Sequence, residues 1–228
     1  MIVENLPYKE YENLKLESHF FNSVNFINYN KHKCDEVQYL TFKDSKVRFG
    51  LVVGIKDGVV YAPFSAPFGG FSYSKNSTKH HIFSKAIKAL KEYLLLNNFT
   101  SIRLSLPPSI YDKHNSSKII TALLMDEFLI DFVDINHSYD LRNFASDYID
   151  KIEYSAKKAL KISLSKSLKF TPCVTVEEKT IAYEIIKKNR FQRGFPLKLN
   201  LKDVLETANL TESYFFILSN QNGEPIAS

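Results

Sequence analysis

The sequence predicts an α/β protein, α+β in detail, whose mixed and largely antiparallel sheet is flanked by helices. Three apolar runs at 37–42, 47–55 and 59–61 follow one another, and the turn pair Asp57-Gly58 separates the last two. They read as an antiparallel meander. Beyond them helical and extended patterns alternate, which adds crossover elements to the sheet. The 228 residues are 44% hydrophobic and 24% charged, enough for one large or two modest cores.

Each later element carries its own signal. A helix is expected from Ser77, where Ser and Thr offer a cap and Ile82, Ala86, Ala89, Leu90, Tyr93 and Leu94 recur every three or four residues before Asn97-Asn98. Residues 101–106 read as a strand closed by Pro107-Pro108, 116–128 as a second helix, and 130–141 as a further strand. Residues 150–165 read as a third helix, with Ile152, Ala156, Ala159, Leu160 and Leu164 on one stripe. A strand at 170–176 leads to a helix at 176–189 with Glu177 and Glu178 in its first turn and Lys187, Lys188 and Arg190 in its last. A short helix at 201–208, a strand at 214–219 and the Asn222-Gly223 turn complete the series. The strand returning from Pro225 stops after four residues, which predicts an unpaired edge. The expected organisation is therefore a domain over 1–145 and the opening part of a second over 146–228, completed by a partner chain, a second copy, or a longer parent.

Charge and cysteine usage narrow the function classes. The net charge is +5, but 25 of the 30 basic residues are Lys, and the excess is shared between 1–145 and 146–228. Dispersed lysines favour solubility over phosphate grip. Cys34 and Cys173 show no disulfide or zinc spacing, so a reducing cytoplasm and no metal are expected. The early acid Glu4 argues against a signal peptide, and no apolar run reaches membrane-spanning length. Gly-x-Ser-x-Gly, Walker A and Gly-x-Gly-x-x-Gly patterns are missing, which argues against serine hydrolase, P-loop and dinucleotide chemistry.

Residues 61–71 form the most distinctive stretch, Tyr-Ala-Pro-Phe-Ser-Ala-Pro-Phe-Gly-Gly-Phe. Pro63 and Pro67 shape the backbone, and Gly69 and Gly70 permit positive φ and close approach. Phe68 and Phe71 beside these glycines can wall a ligand cleft or plug the core, with even weight. Tyr61, Phe68, Gly69, Gly70, Tyr111 and Arg193 are the substrate-binding candidates. Arg193 and Arg190 also suit capping of helix carbonyls. His137 and Tyr139 on the expected strand at 130–141, flanked by Asp134 and Asp140, are weak catalytic candidates, a structural histidine being the heavier alternative. Lys157, Lys158 and Lys161 are candidate phosphate contacts, set against a merely solvated helix face.

The order of these pieces resembles the Fem-type, peptidoglycan-bridge-transferase-like acyltransferases of the GNAT superfamily, which join two acyl-CoA N-acyltransferase folds in one chain. The likeness rests on Ser65-Ala66-Pro67-Phe68-Gly69-Gly70, on Leu106-Pro107-Pro108 with Tyr111, and on the segment 134–141. The helix with Lys157-Lys158-Ala159, then Gly194-Phe195-Pro196 and Gly223-Glu224-Pro225, continue it. The resemblance implies an N-acyltransferase that moves an acyl or aminoacyl group from acyl-CoA, such as acetyl-CoA, or from aminoacyl-tRNA to an amine of a small-molecule, peptide or glycan-precursor acceptor. The family's pyrophosphate-binding Gly-rich turn has no counterpart here, so a non-catalytic binding or scaffold module with the same groove is the alternative expectation.

Overall fold

The computed structural model describes residues 1–74, 79–112, 114–144 and 148–228. The expected helix start at Ser77 and the expected boundary after residue 145 lie outside them. The chain divides into two compact units, Met1–Ser138 and Tyr139–Ser228.

Unit 1 opens with strand β1 (Ile2–Leu6), helix α1 (Tyr8–Asn13) and helix α2 (Val24–Asn30). The meander follows as β2 (Glu36–Lys43), β3 (Val47–Lys56) and β4 (Val59–Ala62), then β5 (Phe71–Tyr73), α3 (His80–Leu96), β6 (Ser101–Leu104) and α4 (Ser116–Met125). The sheet order is β1-β2-β3-β4-β6, with β5 also on β3. Among the described residues only the β4–β6 pair is parallel, so the mixed, largely antiparallel sheet is as expected. Asp57 and Gly58 both take positive φ, at 51° and 76°, which is what a tight two-residue hairpin turn demands.

Alternation along β3 decides the layering. Phe49, Leu51, Val53 and Ile55 are buried beneath Phe83, Ile87 and Leu90 of α3 and Ile119 and Leu123 of α4. On the opposite face Val52 packs with Tyr11 and Ile27 from α1 and α2 and with Tyr39 of β2. Its neighbours there are Gly50 and Gly54. A Cβ on Gly50 would collide with the Tyr11 ring, and one on Gly54 with the ring of Phe64. The sheet is thus covered on both faces, and its second cover needs side-chain-free positions beneath it.

The segment 130–141 departs from its expected strand. Residues 129–140 join no strand, and Leu129, Phe132, Val133 and Ile135 are exposed. Alternating apolar residues make a strand only where a neighbouring edge supplies ladder hydrogen bonds, and none reaches this segment among the described residues. His137 and Tyr139 therefore do not sit on a common strand face.

Unit 2 contains α5 (Tyr148–Lys151), α6 (Tyr154–Ser165), β7 (Lys169–Cys173), α7 (Val176–Gln192), α8 (Leu201–Leu210), β8 (Phe215–Ser219) and β9 (Pro225–Ala227). The single helix expected at 150–165 is broken before Glu153, whose extended backbone starts α6 anew. No residue of α6 is buried, so its apolar stripe is not core. Strands β7, β8 and β9 form an antiparallel sheet, with Cys173 and Ile217 buried against Ala182 of α7. Helix α7 begins with a capping box: the Thr175 hydroxyl accepts from the Glu178 amide at 3.2 Å, and the Glu178 carboxylate accepts from the Thr175 amide at 2.9 Å.

Two stability tests follow from unit 1. Phe49 is fully buried among Phe42, Phe71 and Phe83, so Phe49→Ala is expected to cost about 3–5 kcal/mol in denaturant unfolding. The buried Tyr11 hydroxyl lies near Ser72 without a well-formed hydrogen bond, and burial first of all pushes its pKa up from 10.0 to about 12. The unfolded chain loses this proton first, so stability present below pH 10 is lost as pH rises through about 12. Tyr11→Phe should leave stability near pH 7 within about 1 kcal/mol of the parent and reduce that alkaline loss.

Candidate functional site

Hydrogen bonds hold the loop between β4 and β5 at several points. The Ser105 amide donates to the Ala62 carbonyl at 3.0 Å, and the Gly69 amide donates to the Ser105 carbonyl at 2.8 Å. The Ser65 hydroxyl donates to the Asn30 side chain at 2.9 Å, and the Asn22 side-chain amide donates to the Gly70 carbonyl at 3.0 Å. The Ala62–Pro63 bond is cis, Gly70 takes φ +92°, and Pro63 packs where a Cβ on Gly69 would stand. Both glycines are therefore required by geometry.

This anchoring divides the loop's aromatics. Phe71 is buried against Phe42 and Phe49, so most of its ring plugs the core. Phe68 is half-buried and packs against His19 at 5.2 Å, Tyr111 at 5.1 Å and Phe21 at 5.1 Å between ring centroids. Phe68, Gly69, Gly70 and Tyr111 thus converge, as the sequence reading grouped them. Tyr61 lies on β4, paired with Gly54 and Arg103. In unit 2, Arg193 is exposed at the end of α7, its amide donating to the Asn189 carbonyl at 3.2 Å, while Arg190 caps the Phe195 carbonyl at 3.0 Å. Lys158 and Lys161 are exposed on α6, and Lys157 donates to the Asp150 carbonyl at 2.8 Å.

Beside the aromatic cluster lies a cleft of about 540 Å³ whose polar lining includes Glu17, His19, Tyr73, Tyr111, Asp112 and His114, with Phe71 and Pro107 as apolar lining. Reciprocal backbone hydrogen bonds of 2.7 and 2.8 Å between Glu17 and Tyr73 fasten the segment before α2 to β5 and bring His19 to the loop. His19 Nε2 lies 3.1 Å from the Gly69 carbonyl. A carbonyl only accepts, so Nε2 carries the proton and Nδ1 the lone pair. Burial lowers the imidazole pKa, partly offset by the Gly69 bond, and Nδ1 is shielded without a protein partner. Burial thus favours the neutral form of the His19 imidazole, with Nδ1 out of contact with solvent.

Asp112 is held from the other side of the cleft. Its Oδ1 accepts the amides of His114 at 3.2 Å and Asn115 at 3.0 Å in the turn before α4. Its Oδ2 is buried, and the carboxylate lies close enough to the Tyr73 hydroxyl to interact with it. Burial, then the Asp112 charge and a side-chain hydrogen bond with it, keeps the Tyr73 phenol protonated far above its usual range. Sequence reasoning passed over Glu17, His19, Asn22, Tyr73 and Asp112. Only Asp112 had a local signal, an Asx-type turn ahead of a helix; the pairing of Glu17 with Tyr73 is long-range.

No known family model matches the sequence, and no curated protein matches it. Among solved structures, the chain is similar to FemX, with a TM-score of 0.58 at 9% identity. The likeness covers 96% of this chain and 58% of the FemX chain. At that identity the likeness establishes the fold, which is Fem-like. No helix of the described residues is long and apolar enough to cross a membrane.

The Asn22 contact offers a test of how the loop is held. Asn22→Leu leaves the Gly70 carbonyl without its buried donor and is expected to cost about 1–3 kcal/mol. Faster amide hydrogen exchange at Gly69 should accompany it, and unchanged exchange would show that Asn22 does not hold the loop.

Proposed function

We propose that this chain is an N-acyltransferase, which moves an acyl or aminoacyl group from an activated ester or thioester donor to an amine acceptor. The observation that supports the reading most is the Fem-like fold over 96% of the chain. The chain spans 58% of the length of the FemX chain, and the activity is assigned on that footing. The cleft of unit 1 suits the acceptor half of such a reaction, because His19 and the carboxylates of Glu17 and Asp112 line it.

The chemistry asks little of the protein beyond placement. An amine is already a good nucleophile once deprotonated, and holding it against an activated carbonyl supplies much of the rate. The donor is acyl-CoA or aminoacyl-tRNA, and the acceptor an amine on a peptide or glycan precursor. Lys158 and Lys161 are the candidate contacts for donor phosphates.

Donor binding tests this reading. Acetyl-CoA at one hundred times its Kd should stabilise the fold by about 2.7 kcal/mol, with amine-dependent release of free thiol. An aminoacyl-tRNA donor should instead bind with an affinity that falls steeply between low and moderate salt. A chain that neither binds nor turns over either donor is a binding module, and the acyltransferase reading then fails.

A further inference from the structure

We infer that helix α6 is an interfacial element, which lays its apolar side on an anionic lipid bilayer with its lysines among the headgroups. Counted by halves of the chain the net charge of +5 is shared, but residues 151–169 hold six lysines and a single acid, Glu153. Taking these from the 30 basic and 25 acidic residues leaves 24 of each, so this stretch carries the whole excess. Among the described residues no carboxylate pairs with Lys157, Lys158, Lys161, Lys166 or Lys169. Lys157 donates to the Asp150 carbonyl at 2.8 Å, which leaves its charge uncompensated.

The other side of the helix separates it from an ordinary solvated face. With about 3.6 residues per turn, Ala156, Ala159, Leu160 and Leu164 share one side. Lys161 stands opposite them, and Lys157 and Lys158 border the stripe. No residue of α6 is buried, and Leu164 is 73% exposed. A helix that packs on its own unit buries part of its stripe, as α7 does with Ala182 and Tyr183. Helix α8 has no buried residue either, but Lys202, Asp203 and Glu206 mix the two signs of charge on it. Only α6 joins an uncovered apolar stripe to charge of one sign among the helices of unit 2.

Charge and stripe together select the partner. A nucleic acid would use the lysines but leave the stripe in water, and α6 offers only Tyr154 for base stacking. A bilayer with anionic headgroups uses both. Leu160 and Leu164 enter the boundary between headgroups and acyl chains, while the lysines at the borders extend their stems to lipid phosphates. The 12 residues of α6 are too few to span the hydrocarbon core, so the helix lies along the surface. This inference stands apart from the acyl-transfer reading, and it gives Lys158 and Lys161 a partner other than a donor phosphate.

The test is co-sedimentation with vesicles of phosphatidylglycerol and phosphatidylcholine in equal parts, against vesicles of phosphatidylcholine alone. The chain should bind the anionic vesicles and leave the neutral ones. Replacing Lys157, Lys158 and Lys161 together by Gln should weaken that binding about a hundredfold, at about fivefold for each lysine. All three lie on a helix without buried residues, so the unfolding midpoint should stay within a few degrees of the parent. Because the chain has no Trp, Leu164→Trp places a single reporter on the stripe, and lipids brominated in their acyl chains should quench its fluorescence. No binding to the anionic vesicles at low salt overturns the inference. Binding that the triple substitution leaves unchanged overturns it as well. Binding without quenching, matched by lysine-dependent binding of tRNA, shows a surface for polyanions and overturns the bilayer as its partner.

Discussion

Everything in unit 1 depends on burying β3 from both sides. A strand whose odd-numbered positions are Phe49, Leu51, Val53 and Ile55 needs a helical cover, and α3 with α4 provides it. Its even-numbered positions are Gly50, Val52 and Gly54, and their small profile admits rings from above. Tyr11 occupies one gap and Phe64 the other. The second ring belongs to the loop that follows β4, so the packing of the sheet reaches directly into the segment that borders the cleft. Core and site share one set of contacts.

Much of this fold was legible because its signals are local. The meander, α3, β6, α4, α7 and α8 each carry a periodicity or a turn pair within a few residues of one another. Strand β1 and helices α1 and α2 were not legible: they are 5, 6 and 7 residues long, and their pairing depends on partners far along the chain. The opposite error occurred at 130–141, where a good alternation meets no free edge among the described residues. At Ile152 a continuous helical stripe conceals a break. Pattern reports what a segment can do, and the neighbourhood decides whether it does so.

The same division separates the residues of the site. Phe68, Gly69, Gly70 and Tyr111 stood out because prolines, glycines and aromatic rings are conspicuous in any sequence. His19 sits in Ser18-His19-Phe20-Phe21, where nothing local marks it. It reaches the cleft only because Glu17 pairs with Tyr73, 56 positions away. The titratable residues of the cleft were thus the least visible, since a long-range pairing that exists only after folding brings them together. The balance of charge behaves similarly: an excess of lysine over the whole chain says nothing about a cleft that gathers carboxylates.

The contact that orients His19 ends on a main-chain oxygen. Every residue type presents a carbonyl at position 69, so the acceptor itself cannot be lost by substitution there; only a change in the path of the backbone can remove it. Comparison of related sequences would therefore find no second side chain that changes in step with position 19. The partnership would leave its trace instead as intolerance of a side chain at positions 69 and 70, a constraint easily mistaken for a requirement of the turn alone.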